Sequence, residues 1–370
     1  MEKSQVFFTD MRVKTERGQS LLDKFAALAR AAGIEKIPMK SKFVAIKMHF
    51  GEAGNLAFLR PNYARALAEI VKELGGKPFL TDCSTLYPGS RTNAIAHLQV
   101  AETNGFNSVT AGCPVIIGDG LKGTDDIALP VPRGKHVQTA KIGRAIADAD
   151  IIISLNHVKG HEMAGFGGAL KNLGMGCASR AGKMEQHCDG KPRVKTAACI
   201  GCKACAPACG QGALTYGADG KALLDKEKCV GCARCIAACP VHAIASPDWT
   251  SGDKMCARMG EYAAAVCAGR PHFHLSVAAQ ISPQCDCYGG NDAPVVPDIG
   301  MFASSDPVAI DAAAADKINA APLIAGTCLA HAEEGDHIAH LAPETNWRTT
   351  LEAAAAAGLG SADYDLKVVS

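Results

Sequence analysis

The chain has 370 residues, enough for about two or three domains, and its formal net charge of +1, from 38 basic and 37 acidic residues, argues against a dedicated nucleic-acid-binding protein. Hydrophobic residues make up 48% and charged residues 20%, which is typical of a globular protein and excludes a disordered one. Because no run of about 18 uncharged apolar residues occurs and residues 1–5 lead into no apolar leader, we expect a cytoplasmic protein without a membrane span.

Short apolar runs rich in β-forming residues alternate along the chain with stretches of helical spacing. The predicted strands are residues 43–48, 77–81, 113–117, 151–155, 273–281 and 366–369. The predicted helices are residues 20–32, 62–74, 93–104, 139–148, 257–268, 307–319 and 348–357. Pro307 suits the first turn of its helix, which Ser304, Ser305 or Asp306 would cap. The alternation predicts an α/β fold in which a mostly parallel sheet is covered by helices.

Reactive side chains follow four of these strands, at the point where each strand ends. They are His49, Glu52, Asp82, Cys83, His157, Lys159, His161, Cys285 and Cys287. In an open parallel sheet, ligands bind in the crevice at the carboxyl ends of the strands, so we expect these side chains to share one site. The residues predicted to form it are His49, Glu52, His161, Lys171, Cys285 and Cys287.

Two pairs within these loops have more than one interpretation. His157 and His161 lie four residues apart and are a candidate metal pair, although Gly160 between them disfavours the helix that such a pair needs. Cys285 and Cys287 flank a single residue, and the pair either binds a metal, forms a redox couple or consists of two reduced thiols.

A glycine-rich string, residues 159–176, follows the fourth predicted strand. Its glycines allow close backbone approach and expose N–H groups to an anion, and Lys171 adds a positive charge next to Asn172. The string lacks the G-x4-G-K-[ST] order of a P-loop, and no G-x-G-x-x-G follows the first strand. We therefore interpret it as an anion or cofactor site of another kind.

The segment 179–195 is polar, basic and glycine-containing. We interpret it as a solvated loop or linker, because charge runs are usually solvated. The alternative is a docking patch for an acidic redox partner.

Cysteine stands out in the composition, with 17 residues in a chain that shows no export signal, so metal ligation or redox chemistry is a better interpretation than disulfides. Eight of them form two C-x2-C-x2-C-x3-C runs that repeat at an offset of 30 residues. In the bacterial ferredoxin pattern, the fourth cysteine of each run ligates the other run's [4Fe–4S] cluster. The predicted ligands are Cys199, Cys202, Cys205 and Cys239 for one cluster, and Cys229, Cys232, Cys235 and Cys209 for the second.

The segment 196–245 closely resembles a bacterial ferredoxin with two [4Fe–4S] clusters. Zinc ribbons, the alternative, use two CxxC pairs and have no need of the third cysteine or of the x3-C tail. Gly201 and Gly231 leave room for the backbone to bend, so that N–H groups donate to sulfur. We predict an inserted α+β ferredoxin-like module at residues 191–247, between two parts of one α/β domain, residues 1–190 and 248–370.

Several strings of the chain resemble the domain-of-unknown-function 362 family of uncharacterised iron–sulfur-centre proteins. The resemblance covers nearly the whole chain and is carried by residues 44–55, 160–176, 285–287 and 297–311 together with the ferredoxin-like segment. It implies [4Fe–4S] clusters and no settled reaction.

The glycine-rich string is also similar to a motif of nickel-pincer lactate racemases, His-x-x-Ala-Gly-aromatic-Ser-Gly-Gly-x-Lys. The matching residues are His161, Ala164, Gly165, Phe166, Gly168 and Lys171, while Gly167 and Ala169 replace Ser and Gly. In that family the histidine acts in acid–base catalysis and the lysine anchors the cofactor. The similarity implies that His161 and Lys171 face a shared cleft.

Three functional hypotheses follow from these observations. The first is an iron–sulfur oxidoreductase in which two [4Fe–4S] clusters exchange electrons with a small anionic substrate or a second metal, with His49 or His161 as proton donor and Lys171 as anion clamp. Glu52, Asn172, Cys285 and Cys287 would contact the bound cofactor or substrate. The second is an electron carrier or redox sensor whose α/β domain binds a redox partner protein. The third is isomerase-like chemistry at His161 and Lys171.

Overall fold

The computed structural model describes residues 3–13, 19–86, 89–188, 191–209, 211–229, 231, 234–245, 252–332 and 335–369. The predicted cluster ligand Cys232 lies outside these residues. The strands are β1 (Ser4–Asp10), β2 (Phe43–Lys47), β3 (Lys77–Asp82), β4 (Val115–Ile117), β5 (Asp126–Pro130), β6 (Thr139–Gly143), β7 (Ile151–His157), β8 (Lys159–His161), β9 (Gly165–Gly167), β10 (Arg193–Val194), β11 (Leu214–Tyr216), β12 (Ala222–Leu224), β13 (Ile244–Ala245), β14 (His272–Ala278), β15 (Gly300–Ser304) and β16 (Tyr364–Val368). The α-helices are α1 (Leu21–Ala31), α2 (Pro61–Glu73), α3 (Ala94–Thr103), α4 (Arg144–Ala147), α5 (Ala169–Gly174), α6 (Arg180–Cys188), α7 (Arg234–Ala238), α8 (Gly252–Cys267), α9 (Pro307–Asn319), α10 (His337–Leu341) and α11 (Arg348–Ala356).

The centre of the fold is an eight-stranded sheet in the order β16-β1-β15-β14-β7-β2-β3-β4. Strand β15 is antiparallel to both of its neighbours, β1 and β14, and the other neighbouring pairs are parallel. This confirms the prediction of an α/β fold with a large, mostly parallel sheet flanked by helices. Strand β7, which precedes the cysteine-rich segment, pairs with β14, which follows it, so both sides of that segment contribute to one sheet.

The central strands β2, β7, β14 and β15 are buried on both faces of the sheet, which explains why they are rich in apolar residues. Ile151 and Ile153 of β7 pack into a core with Phe25 of α1, whereas Ile152 between them packs into a second core with Val266 of α8. The two cores therefore lie on opposite faces of the sheet. In the described residues, no helix has the length and apolar character needed to cross a bilayer.

Most predicted elements match the structure to within a few residues, and α9 begins and ends at the predicted residues. Its N-cap is Asp306, whose carboxylate accepts from the backbone N–H groups of Val308 and Ala309. The sequence patterns did not indicate β1, nor the strand β15 within 297–306.

The helix predicted at residues 139–148 is wrong. Residues 139–143 form strand β6, which pairs antiparallel with β5, and only the short α4 follows it. Ala140 and Ile142 are both fully buried, so the apolar residues of this stretch follow the two-residue period of a strand.

The interpretation of residues 179–195 as a solvated linker, and the alternative of an exposed docking patch, are both wrong for the helix α6. Arg180 is 1% exposed and Gln186 0% exposed, so these polar side chains are inside the protein. Their hydrogen bonds explain how: Arg180 donates to the carbonyl of Thr92, and Gln186 donates to the carbonyl of Gly174. Polar side chains can be buried when they have hydrogen-bond partners. A polar segment therefore does not have to lie at the surface, as its composition alone would suggest.

Helices α5 and α8 approach each other so closely that Gly174 is required between them. A Cβ atom at Gly174 would lie 2.0 Å from the backbone oxygen of Met259. We expect Gly174→Ala to lower the free energy of unfolding by about 1–3 kcal/mol, because the backbones must separate to admit the methyl group. Denaturant unfolding measures this loss. Gly290→Ala is the control, since Gly290 is exposed and its added methyl makes only ordinary contact. Equal unfolding curves for the two variants would contradict the expectation.

Candidate functional site

A cavity of about 280 Å³ opens at the carboxyl ends of the parallel strands, where the sequence places the reactive loops. The structure brings several predicted site residues to its wall. They are His49, His161, Lys171, Asn172 and Cys287. Cys285 is buried and contacts Lys171. Glu52 lies beside the cavity with its carboxylate on Arg91, whose Nε donates to Glu52 Oε2 at 2.9 Å.

His49 and His161 are held in the same protonation state by the backbone. The N–H of Gly51 donates to His49 Nδ1 at 2.9 Å, and those of Met163 and Ala164 both donate to His161 Nδ1 at 3.0 Å. Burial lowers the pKa of His161 to about 3 and the pKa of His49 well below its ordinary value. Both rings are therefore neutral and carry their proton on Nε2. In the described residues, His49 Nε2 is buried without a hydrogen-bond partner.

Cys285 and Cys287 form a pair of neighbouring sulfur groups, and the ammonium group of Lys171 contacts the first of them. Lys171 Nζ donates to Cys285 Sγ at 2.8 Å, and the backbone N–H of Cys287 donates to the same sulfur at 3.5 Å. The Cys287 thiol, followed by Lys171, holds the pKa of Cys285 well below its ordinary value, although burial opposes this. The same hydrogen bond raises the pKa of Cys287. Cys285 is thus a thiolate and Cys287 a thiol on the cavity wall, and the cysteine pair is asymmetric.

The loop that carries the two cysteines is anchored by Asp286. His157 Nδ1 lies 2.7 Å from Asp286 Oδ1, and Lys159 Nζ lies 3.2 Å from Asp286 Oδ2. His157 Nε2 lies 2.8 Å from the carbonyl oxygen of Ala279, so both ring nitrogens face oxygen acceptors. His157 and His161 therefore do not form the metal pair that their spacing suggested. Instead, His157 fixes the position of the thiolate loop.

A second buried network joins strands β2 and β3 to helix α5. Lys47 Nζ lies 3.0 Å from Asp82 Oδ1 and donates to Asn172 Oδ1 at 2.9 Å. Asn172 Nδ2 returns a hydrogen bond to the carbonyl of Lys47 at 2.8 Å. Although burial opposes ionisation, the Lys47 ammonium group holds the pKa of Asp82 below its usual range. Asn172 is thereby fixed beside Lys171, where the sequence predicted it to act.

The N–H groups at the start of α5, in the glycine-rich string, are occupied by a carboxyl group of the protein itself. The backbone N–H groups of Ala169 and Leu170 donate to the carboxylate of Asp311 at 2.6 and 2.9 Å. A Cβ atom at Gly168 would lie 2.2 Å from Asp311 Oδ1, so glycine is needed for this approach. The expected external anion therefore does not bind these N–H groups. Burial raises the pKa of Asp311 to about 7.

Other residues of the cavity were not identified from the sequence. Lys183 and His187 come from α6, and Arg91 comes from the loop after β3. Four methionines form an apolar part of the wall: Met163, Met175, Met255 and Met259. Lys183 and His187 lie four residues apart, which is the spacing of one helix face, but the stretch was interpreted as a linker.

The cysteine-rich segment contains a second, smaller cavity. Its wall includes four thiols contributed by both cysteine runs: Cys199, Cys202, Cys205 and Cys239. The backbone N–H of Ala222 donates to Cys199 Sγ at 3.5 Å. That hydrogen bond, with one from Gly201, lowers the pKa of Cys199.

The two cysteine runs also repeat in backbone geometry. Gly201 and Gly231 both have left-handed backbone, with φ of 68° and 71°. Ala213 donates its N–H to Cys209 Sγ at 3.3 Å, and Ala243, at the offset of 30 residues, donates to Cys239 Sγ at 3.2 Å. The sequence repeat therefore has a structural counterpart.

The strand-end cavity and the cysteine-rich segment are neighbours in the structure. Met184 of α6 and Leu86, from the loop after β3, pack in one apolar cluster with Cys205, Cys235 and Cys239. Helix α6 thus borders the thiol-rich segment on one side and the strand-end cavity on the other.

Comparison with known proteins gives a family but no reaction. The chain is 30% identical over 135 residues to the thylakoid-associated protein sll1697 of Synechocystis sp. PCC 6803, and the match covers 36% of each protein. Among solved structures, the lactate racemase apoprotein of Thermoanaerobacterium thermosaccharolyticum matches with a TM-score of 0.37 and 12% identity, over 74% of this chain and 50% of that one. A structural-genomics protein from Thermotoga maritima matches with a TM-score of 0.35 and 13% identity, over 76% of this chain and 54% of that one. A family profile described as "Domain of unknown function (DUF362)" matches residues 44–316, and the chain belongs to this family.

Proposed function

We propose that this chain is an iron–sulfur redox protein that exchanges electrons between a partner protein and a small anion bound in the strand-end cavity. One-electron transfer is the chemistry that [4Fe–4S] clusters supply when bound. The observation that carries the proposal is the position of α6. Its Lys183 and His187 line the cavity, while Met184, between them, packs with Cys205 and Cys235 of the thiol-rich segment. Helix α6 therefore contacts both the strand-end cavity and the apolar cluster that contains these cysteines.

The thiols fit two clusters better than they fit zinc. Cys199, Cys202, Cys205 and Cys239 would hold one cluster, and Cys229, Cys232, Cys235 and Cys209 the other. The first set lines one cavity, as ligation across the two runs requires. In the part of the chain that the structure describes, no three of these thiols converge within 4.8 Å. Ligands of one zinc ion must converge more closely, because Zn–S bonds are about 2.3 Å long.

The cavity supplies hydrogen-bond donors for an anion. His49 and His161 both present an Nε2–H, and the first of these has no partner among the described residues. Lys171 is neutralised by the Cys285 thiolate and is a poor anion clamp. Lys183 is better suited, because its ammonium group donates to the carbonyl of Ala178 and the structure shows no carboxylate within 4 Å of it in the described residues.

The two histidines would orient the bound anion and would not protonate it. A ring with a pKa near 3 is not an imidazolium at neutral pH, so His161 does not deliver a proton as a strong acid. Its Nε2–H instead holds the anion in place. The same geometry disfavours isomerase-like chemistry with His161 as the base, since its Nδ1 accepts from two backbone N–H groups and its Nε2 is protonated.

Anion binding separates the oxidoreductase from a simple electron carrier. The full-length protein, reconstituted anaerobically with iron and sulfide, would be titrated calorimetrically with inorganic phosphate, acetate and lactate. We expect at least one of them to bind, and Lys183→Gln to weaken that binding roughly 10-fold or more, because a charge-assisted hydrogen bond is lost.

Lys72→Gln is the matched control, since Lys72 also donates to a carbonyl, that of Gly112, but is exposed and far from the cavity. If none of the three anions binds, or if Lys183→Gln binds as well as wild type, the electron-carrier alternative replaces the proposal.

A further inference from the structure

Three metal-ligating side chains meet at the edge of the sheet opposite the strand-end cavity. Cys267 is the last residue of α8, and His272 and His274 lie at the amino-terminal end of β14. Because strand side chains alternate, the two histidines point to the same face. None of the three lines either of the sites described above.

The three residues converge closely. One ligand atom from each lies within 4.8 Å of the other two, and in the described residues no other group of three or more His, Cys, Asp or Glu side chains meets this condition. His272 Nδ1 is 2.9 Å from His274 Nε2, so two ring nitrogens already face each other. Donors at these separations need only small movements to surround one ion.

The cluster is buried and incompletely satisfied. His274 is 0% exposed and Cys267 3% exposed. Nδ1 of His274 has no hydrogen-bond partner in the described residues. An apolar packing role does not require two imidazoles and a thiol to face one another.

A cavity of about 440 Å³ adjoins the group and is lined in part by Cys267, Arg270 and His272. It gives an ion a route of entry and leaves space for a water molecule as a fourth ligand. Three protein ligands and one open position form a tetrahedral arrangement that zinc adopts.

We propose that Cys267, His272 and His274 form a binding site for a divalent cation of the zinc type. One thiolate and two imidazoles are borderline donors that suit zinc and exclude magnesium or calcium, which prefer oxygen. Binding releases the proton of the Cys267 thiol. This site is independent of the clusters and of the anion cavity.

Cobalt is the probe, because a cobalt–thiolate bond adds an absorption band that zinc lacks. Full-length protein would be reconstituted anaerobically with iron and sulfide, desalted and titrated with Co²⁺. We expect wild type to bind about one more Co²⁺ than Cys267→Ser and to show a thiolate-to-cobalt band that this variant lacks. His272→Gln should weaken binding at this site roughly 10-fold or more, since even residues behind the ligands have effects of that size.

Cys256→Ser is the matched control, because Cys256 is an equally buried thiol on the same helix but lies outside the group. It should bind Co²⁺ as wild type does. The His272→Gln variant changes a half-buried side chain, so it still tests the site if Cys267→Ser fails to fold. Equal Co²⁺ stoichiometry and equal spectra for wild type, Cys267→Ser and His272→Gln would overturn the proposal.

Discussion

Replacing Lys171 by glutamine is expected to raise the pKa of Cys285 and to convert its thiolate to a thiol at neutral pH. Lys171 Nζ lies 2.8 Å from Cys285 Sγ inside the protein, and a buried thiolate without a counterion is costly. The difference in thiolate absorbance between each protein and its Cys285→Ser derivative measures this change. Lys171→Arg, which keeps the positive charge, is the control and should retain the thiolate.

The same substitution should change how stability depends on pH. The depressed pKa of Cys285 stabilises the folded state above the ordinary thiol pKa of about 8.5, and this stabilisation is lost as the pH falls through the folded pKa. The raised pKa of Lys171 stabilises the folded state fully below the ordinary lysine pKa of about 10.4, and this stabilisation is lost as the pH rises through the raised pKa. The pair therefore contributes most between about pH 8.5 and 10.4.

In that window we expect Lys171→Gln to lower the free energy of unfolding by about 2–3 kcal/mol. This is less than the roughly 3–5 kcal/mol of a fully buried pair, because Lys171 keeps some exposure. The loss should shrink as the pH falls and Cys285 protonates. Denaturant unfolding at several pH values measures it, and a loss of equal size at pH 6 and pH 9 would show that Cys285 is not a thiolate.

Substituting Cys239 should remove the cluster of the other cysteine run. Cys239 shares a cavity with Cys199, Cys202 and Cys205, although it is the last cysteine of the second run. We expect Cys239→Ala, reconstituted anaerobically, to retain about half of the wild-type iron, since one of two clusters loses a ligand. Iron analysis and electron paramagnetic resonance of the reduced protein provide the measurement.

Double variants identify which cluster is lost. If Cys239 and Cys199 ligate the same cluster, the double variant Cys199→Ala/Cys239→Ala should lose no more iron than Cys239→Ala alone. Cys229→Ala/Cys239→Ala should lose nearly all iron, because each substitution then affects a different cluster. The opposite pattern would show that each run holds its own cluster and would refute the assignment.

The strand-end site could be predicted because its signals are local. A buried parallel strand is a short apolar run, and a polar residue directly after it lies at the carboxyl edge of the sheet, as His49 does. His161, Lys171 and Cys287 line the same cavity from segments that come later in the chain than the ends of β7 and β14. The cysteine spacing was informative because the bacterial ferredoxin pattern fixes the spacing of its cluster ligands, and this spacing supports the proposed clusters.

The rest depended on contacts between distant parts of the chain. Lys183 is inside because Ala178 accepts its hydrogen bond, and no local pattern distinguishes such a lysine from a solvated one. Likewise, the anion that occupies the start of α5 comes from Asp311, more than a hundred residues later. The meeting of Cys267 with His272 and His274 required a helix to end beside the start of a strand.

The pairing of β1 with β15 and β16 affects how this protein folds during its synthesis. Among the described strands of the sheet, β1 pairs only with β15 and β16, so it stays unpaired until these two distant strands have been synthesised. Strand β7 likewise gains β14 only after the cysteine-rich segment has been synthesised. Contacts so distant in sequence form slowly. The cysteine runs therefore emerge while the sheet is still open, and the clusters proposed above would be inserted most easily during that interval.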